Sequence, residues 1–179
     1  SMIVLFHTTW GKWKASHPET MLLSPQTPYR DWYRQVQVGV FNPQEALFGD
    51  DRLKPNALIV GVEVGGQYKG YPLEQLQDAG GVINDILADQ PIVVIYSENM
   101  GGGLAYKRSV NEQDLEFYNS EDEGFELRDR QTESLWNLQG RVLSGPLTGS
   151  FLEFVPSFIS EWYGWSGYPP ETMLFEGGS

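Results

Sequence analysis

The stretch Leu58-Ile-Val-Gly-Val-Glu-Val64, Gly65-Gly66, Gln67-Tyr-Lys-Gly-Tyr71 is typical of a β-hairpin. Two runs rich in β-branched and aromatic residues flank a pair of glycines, and glycine readily adopts the positive φ angles of a two-residue hairpin turn. Further short strand candidates follow at intervals of about 8 to 12 residues, a spacing typical of sandwiches and barrels. They are residues 81–87, 91–96, 104–110, 115–119, 125–129, 134–138, 141–143 and 151–155.

These patterns predict a mainly β fold, in the form of an antiparallel barrel or sandwich of short strands with a few short helices. The alternative is an α+β fold. Residues 92–95 read Ile-Val-Val-Ile and are apolar at every position, so they are predicted to form a central strand that is buried on both faces. Short helices are predicted over residues 29–36, 43–48, 72–77 and 158–165.

The composition of the chain excludes several classes of protein and site. The 179 residues include 12 Lys and Arg against 24 Asp and Glu, a formal net charge of −12. Nucleic acid and anionic lipid are therefore not expected as partners, because basic side chains supply most of that affinity. The absence of cysteine excludes disulfides and thiolate zinc sites. No apolar run approaches the ~20 residues of a membrane-spanning helix.

Comparison of the chain with itself detects a duplicated segment. Trp10-Gly-Lys-Trp-Lys-Ala-Ser-His-Pro-Glu-Thr-Met-Leu22 recurs 152 positions later as Trp162-Tyr-Gly-Trp-Ser-Gly-Tyr-Pro-Pro-Glu-Thr-Met-Leu174, with seven identities in thirteen positions and no gap. Tryptophans at positions i and i+3 share one face of a helical turn. The four tryptophans are therefore predicted to pack as structural residues: Trp10, Trp13, Trp162 and Trp165.

The duplication also predicts how the chain is organised. Residues 1–23 are interpreted as the tail of a preceding repeat, residues 24–55 as a Pro-rich wrapping linker, residues 56–176 as the β domain and residues 177–179 as a flexible end. The preceding repeat of the same protein is the expected partner. We further expect residues 3–23 to pack on the surface of the β domain.

Several motifs resemble the bacterial and archaeal proteins of domain-of-unknown-function family 3179 (DUF3179). They include Gly61-Val-Glu-Val-Gly-Gly-Gln-Tyr-Lys-Gly-Tyr71, Asp129-Arg-Gln-Thr-Glu-Ser-Leu-Trp136, Gly145-Pro-Leu-Thr-Gly-Ser-Phe-Leu152 and the ending with Trp162 and Trp165. The resemblance covers residues 5 to 176 and implies no particular function. Members often carry two such units in tandem, which agrees with the duplication.

The resemblance has one departure. Cysteine-bearing units of the family read Tyr-Cys-Pro-Leu-Cys-Gly where this chain reads Tyr96-Ser-Glu-Asn-Met-Gly101. Both thiols are missing, so this unit cannot use them for metal binding or redox exchange. The pattern is that of a cysteine-free second unit that supports another one.

Two polar motifs carry the candidate chemistry. Asp85, beside Asn84, is a candidate general base or metal ligand. In the alternative, both side chains form hydrogen bonds that satisfy backbone groups of a loop. Asp129 and Arg130 are candidates to clamp a ligand carboxylate or sugar hydroxyls. In the alternative they form an ion pair while Thr132 closes a turn.

Histidine limits the catalytic alternatives. The only two histidines, His7 and His17, lie in the leading tail, so the β domain itself has no imidazole for a Ser-His-Asp triad around Ser134. Among the tryptophans outside the duplicated endings, Trp32 and Trp136 are the candidates to stack on a sugar ring.

These features favour a non-catalytic structural or ligand-binding module of a prokaryotic tandem-repeat protein. One alternative is an acid-base hydrolase or lyase that uses Asp85, Glu98 and the Asp129/Arg130 pair. The other is carbohydrate binding through exposed tryptophan, and the candidate ligand-binding residues are Asn84, Thr132, Ser134 and Trp136. No metal site and no cofactor are predicted, a small-molecule or carbohydrate ligand is a possible partner, and an extracytoplasmic location is favoured.

Overall fold

A computed structural model of the chain describes residues 10–23, 26, 28, 50–97, 102–121, 125–169 and 171–177. Its helices are α1 (Trp10–Ser16), α2 (Leu73–Asp78) and α3 (Trp162–Ser166). Its strands are β1 (Leu58–Val64), β2 (Gln67–Pro72), β3 (Val82–Leu87), β4 (Gln90–Ser97), β5 (Gly102–Lys107), β6 (Ser109–Val110), β7 (Gln113–Asp114), β8 (Phe117–Asn119), β9 (Leu127–Asp129), β10 (Leu135–Trp136), β11 (Val142–Ser144), β12 (Phe154–Val155), β13 (Ser157–Glu161) and β14 (Met173–Leu174).

The predicted hairpin is confirmed. Strands β1 and β2 pair antiparallel from Ile59 opposite Pro72 to Val64 opposite Gln67. Gly65 and Gly66 form the turn with φ angles of 56° and 79°, the left-handed region that glycine enters without steric cost.

Three four-stranded sheets form the body of the described domain. The first sheet has the order β13-β1-β2-β14, the middle sheet β12-β5-β4-β3 and the third sheet β11-β10-β9-β8. Strand β14 pairs parallel with β2, whereas the other pairs are antiparallel. Strands β6 and β7 make a separate short hairpin.

Two apolar cores separate these layers. One core joins the first and middle sheets and contains Val60, Val62, Tyr71, Ile83, Ile92 and Val94. The other joins the middle and third sheets and contains Val93, Ile95, Leu104, Phe117, Leu127 and Trp136. The side chains of β4 thus alternate between the two cores, which confirms the central strand predicted from residues 92–95.

The fold class is confirmed as mainly β with few short helices. Of the two predicted architectures, sandwich and barrel, the described residues form layered sheets and no closed barrel. The predicted helix over residues 72–77 corresponds to α2, which begins after Pro72. The helix predicted over 158–165 is wrong for its first half, because residues through Glu161 pair with β1 as strand β13. The helices predicted over 29–36 and 43–48 lie outside the described residues.

Candidate functional site

Asp85 belongs to a small ionic cluster at the edge between the first and middle sheets. Lys69 donates from Nζ to Asp85 Oδ2 at 2.7 Å, and Tyr71 donates from Oη to the same oxygen at 2.8 Å. The Ile86 amide donates to Asp85 Oδ1 at 2.7 Å. Phe175 stacks on the Tyr71 ring with centroids 5.5 Å apart. The carboxylate is therefore held by two side chains and one amide.

The electrostatics of this cluster favour a charged Asp85 and a neutral Tyr71. Burial raises the pKa of Asp85, but the hydrogen bonds from Lys69, the Ile86 amide and Tyr71 outweigh it, so the pKa lies below its ordinary value. Burial also raises the pKa of Tyr71 far above its ordinary value, and the neighbouring Asp85 charge raises it further. The phenol is thus a donor rather than a nucleophile, and Asp85 at neutral pH is an ion-pair acceptor.

Asn84 points to the opposite face of β3 from Asp85. Its Nδ2 donates to the Phe117 carbonyl at 2.7 Å, and its Oδ1 accepts from the Phe117 amide at 2.8 Å. One side chain therefore satisfies both backbone groups of a residue in β8. Hydrogen bonding to backbone groups is the structural role that the sequence analysis gave as the alternative to a functional one.

The second polar motif forms a closed turn around Asp129, which is fully buried. Asp129 accepts from the Thr132 amide at 2.7 Å, from Thr132 Oγ1 at 2.9 Å and from Trp136 Nε1 at 2.9 Å. Thr132 Oγ1 lies 2.7 Å from Ser134 Oγ, which accepts from the Leu147 amide at 3.2 Å. Thr132 does close a turn, and Trp136, with 2% of its surface exposed, has no ring face available to a sugar.

Arg130 is directed away from Asp129. Its Nε donates to Glu116 at 3.0 Å, and its guanidinium lies 4.7 Å from the centroid of the Tyr118 ring. The ion pair offered for Asp129 and Arg130 is therefore replaced by an exposed pair with Glu116.

The acid-base candidates are not brought together in the described part of the chain. Asp85 faces the first sheet, whereas Asp129 lies in the third sheet, on the other side of the middle sheet. Glu98, Trp32 and His7 lie outside the described residues. Within the described ranges, no group of three or more His, Asp or Glu side chains is arranged to hold a metal ion, and no helix is long and apolar enough to cross a membrane.

An assembly of aromatic side chains lies where the C-terminal part of the described chain packs on the first sheet. We call residues 162–175 the C-terminal strap. Trp162 is fully buried, and its amide donates to the Ala57 carbonyl at 2.8 Å. Strand β14 adds to β2 with Met173 opposite Lys69 and Leu174 opposite Gly70. The strap thus joins a helical turn to an added parallel strand.

Two glycines, which we call the glycine notch, leave the space that the C-terminal strap fills. Gly61 and Gly70 are cross-strand partners in β1 and β2. A Cβ atom at Gly61 would lie 2.3 Å from the Trp165 ring, and one at Gly70 would lie 3.2 Å from the Trp162 ring. Trp165 also packs edge-on against Phe158 at 5.4 Å. We call the outer face of β1 and β2, together with residues 50–57, the socket.

Residues 10–23, which we call the N-terminal strap, share two internal hydrogen bonds with the C-terminal strap. Trp13 Nε1 donates to Thr20 Oγ1 at 2.9 Å, and Trp165 Nε1 donates to Thr172 Oγ1 at 2.8 Å. The Thr20 amide donates to the residue 17 carbonyl at 3.1 Å, and the Thr172 amide to the residue 169 carbonyl at 2.9 Å. Both hydrogen bonds recur at the 152-residue offset.

The two straps differ in their surroundings. Trp10 and Trp13 are 45% and 38% exposed, whereas Trp162 and Trp165 are 0% and 3% exposed. Leu23, which corresponds to Phe175, is 97% exposed. The expectation that the tail packs on the β domain is therefore wrong for residues 10–23, and residues 1–9 lie outside the described part.

The family model described as "Protein of unknown function (DUF3179)" matches residues 1–172. The chain belongs to the DUF3179 family. No curated protein and no solved structure matches it. The family predicted from the sequence motifs is thereby confirmed, and its description carries no activity.

The glycine notch of this DUF3179 chain is the feature that sequence reasoning missed. A signal was present, because an isolated glycine inside a strand often marks the close approach of another group. Gly61 stands between Val60 and Val62 in β1, and Gly70 stands between Lys69 and Tyr71 in β2. Their pairing across the hairpin follows directly from the two-residue turn at Gly65 and Gly66.

An open cavity of about 790 Å³ lies beside the edge of β14 in the DUF3179 domain. Its lining combines aromatic rings with polar side chains: Gly66, Gln67, Tyr68, Tyr168, Pro169, Glu171 and Met173. The Tyr68 and Tyr168 rings meet edge-on with centroids 6.3 Å apart. Its position places any ligand at the junction between strap and sheet.

Proposed function

We propose that this chain is a non-catalytic interaction module of a tandem-repeat protein, in which the N-terminal strap binds the sheet face of a preceding sibling unit. One observation carries the proposal. The N-terminal strap shares two internal hydrogen bonds with the C-terminal strap, yet it exposes the two tryptophans whose counterparts the C-terminal strap buries.

The exposed surface has the chemistry of an interface. Trp10, Trp13, Met21, Leu22 and Leu23 all expose more than a third of their surface within one short segment. Contiguous exposed aromatic and aliphatic side chains mark sites of protein association, since water contact with them is unfavourable. The C-terminal strap supplies the template for how such a segment packs: indoles on the face of a sheet and a strand added to its edge.

The placement of the acidic candidates supports a non-catalytic role. Asp85 is neutralised by Lys69, and Asp129 is enclosed by Thr132 and Trp136. General acid-base catalysis needs a group that reaches a substrate and has a pKa near the working pH. The pKa of Asp85 is lowered, which moves it further from a neutral working pH.

Amide hydrogen exchange tests the proposal. The chain is compared with a longer protein that also carries the sequence preceding it in its gene. We expect the amides of residues 11–23 to be strongly protected in the longer protein and to exchange rapidly in the present chain. The matched control is the longer protein with Trp13→Ala, which should lose the protection. Equal exchange of residues 11–23 in both proteins would contradict the proposal.

A second candidate function, carbohydrate binding, is favoured by the cavity beside β14 rather than by a tryptophan. Tyr68 and Tyr168 present aromatic surface, and Gln67 and Glu171 present hydrogen-bonding groups beside it. Such a combination suits the apolar and hydroxyl faces of a sugar ring. Calorimetry with a panel of neutral oligosaccharides tests this candidate. Binding that Tyr168→Ala abolishes would support it, and the absence of binding across the panel would rule against it.

A further inference from the structure

We infer that the socket of this chain also accepts the N-terminal strap of a second copy, which there takes the place of the C-terminal strap; we call this replacement strap exchange. The inference rests on the strap function proposed above, but it names a different partner. The partner is another molecule of the same chain, and its binding surface is the glycine notch now filled by Trp165.

The N-terminal strap carries the groups that the socket requires. At the 152-residue offset, Trp13 corresponds to Trp165, whose ring fills the space above Gly61. Thr20 already accepts from the Trp13 indole, as Thr172 does from Trp165. The indole is therefore oriented by its own segment before binding, which reduces the entropy lost on association.

The strand that follows the helical turn also fits. Met21 and Leu22 are identical to Met173 and Leu174, the residues that pair parallel with β2. This pairing uses main-chain groups of β2 at its edge, so it does not depend on which strap supplies them. The same sheet edge can therefore take either segment.

Two differences make the chain's own strap the preferred occupant. Lys14 stands where Ser166 is buried, although its ammonium group folds back to the Pro18 and Thr20 carbonyls. Leu23 stands where Phe175 stacks on Tyr71. The C-terminal strap is also covalently tethered, which gives it a high effective concentration. Exchange therefore increases when the C-terminal strap is weakened.

Strap exchange would join copies head to tail. One copy contributes its N-terminal strap and the other contributes its socket, so the two contacting surfaces differ. Such heterologous contacts form rings or open chains rather than closed two-fold dimers. A chain with both parts therefore assembles further as its concentration rises.

Cross-linking between two single-cysteine variants tests the inference, because the chain contains no cysteine of its own. One variant carries Met21→Cys and an affinity tag. The other carries Gln67→Cys, two residues before Lys69, the register partner of Met173, and Trp165→Ala to release its C-terminal strap. A short bismaleimide spans the diagonal spacing of about 7–8 Å between neighbouring strands. The control partner carries Leu143→Cys and Trp165→Ala, because Leu143 is exposed on another sheet.

We expect the tagged heterodimer to exceed the Leu143→Cys control by about tenfold. Adding Trp13→Ala to the Met21→Cys chain should return it to the control level. A heterodimer no more abundant than the control, or one insensitive to Trp13→Ala, overturns the inference. If Trp165→Ala abolishes folding, Thr172→Val replaces it, because that change keeps the indole and removes the hydrogen bonds that Thr172 Oγ1 makes with the Trp165 indole and the Met173 carbonyl.

The outcomes separate this inference from the proposed function. Protection of residues 11–23 in the longer protein without cross-linking between copies would show that the socket of this chain rejects the N-terminal strap. Cross-linking without protection in the longer protein would show that the strap binds copies of the chain and not a preceding unit.

Discussion

Gly61 has no side chain at a position where the Trp165 ring needs the space. The six-membered ring of Trp165 lies 2.3 Å from where a Cβ atom of residue 61 would be, and Trp165 is buried. Adding a methyl group to such a packed site forces either the ring or the strand to move, which typically costs about 1–3 kcal/mol. The notch therefore makes the socket specific for a flat aromatic side chain.

We predict that Gly61→Ala lowers the free energy of unfolding by about 1–3 kcal/mol, measured by urea denaturation. The matched control is Gly11→Ala, where no atom lies within 4 Å of the added Cβ. That control should leave the stability unchanged. Equal effects of the two substitutions would mean that the strap does not depend on the notch.

Asp85 gives the chain a pH-dependent contribution to stability. Its folded-state pKa is lowered, so it binds a proton less readily in the folded protein than in the unfolded chain. The stabilisation is therefore fully present above the unfolded-chain pKa and is lost as the pH falls through the lower folded-state pKa. The midpoint of urea denaturation should fall over this acid range, and in Asp85→Asn that fall should be smaller.

The same substitution should lower the stability at neutral pH. Asp85→Asn leaves the largely buried Lys69 ammonium without its carboxylate, and a hydrogen bond to a charged group contributes about 1.5–3 kcal/mol. Tyr71→Phe is the control, because it removes one donor and keeps the ion pair. An acid dependence that persists unchanged in Asp85→Asn would assign it to other carboxylates.

At the scale of elements, Asn84 connects the middle sheet to the third. Both backbone groups of Phe117 bond to this one side chain, and Phe117 is buried. We predict that Asn84→Ala lowers the free energy of unfolding by about 1–3 kcal/mol, because a buried amide and carbonyl lose their partners. Hydrogen exchange should show earlier opening of β8 than of β1.

Asn84→Asp provides a stringent comparison. The new carboxylate can still accept from the Phe117 amide, but it opposes the Phe117 carbonyl with a second acceptor. We therefore expect it to destabilise the chain as much as Asn84→Ala does. A stable Asn84→Asp variant would mean that the amide contact alone suffices.

The elements show what the sequence could predict and where it could not. The β1–β2 hairpin and the buried β4 were predictable, because a glycine turn and an all-apolar run are local signals. Strand β13, where the sequence predicted a helix, was not predictable. Phe158 and Ile159 pair with β1, which lies about 100 residues earlier in the chain. The partners of Asp85 likewise come from β2, through a packing of layers that no local pattern encodes.

At the scale of the whole molecule, one motif occurs in two states of burial. The duplication was visible in the sequence, and the structure adds that the hydrogen bond from the indole to the threonine hydroxyl is duplicated as well. What the sequence could not indicate is which copy is packed, because that depends on the socket and not on the motif. The pair of straps is therefore a built-in comparison of the same residues at two levels of exposure.

This comparison yields our last prediction. Trp165→Ala should lower the free energy of unfolding by about 3–5 kcal/mol, the usual cost of removing a buried aromatic side chain. Trp13→Ala, the same substitution at the corresponding position, should change it by less than about 0.5 kcal/mol, as exposed sites do. Both are measured by urea denaturation of the isolated chain at low concentration. If Trp13→Ala were as costly as Trp165→Ala, the N-terminal strap would already be bound within the chain, and its proposed role toward a partner would fail.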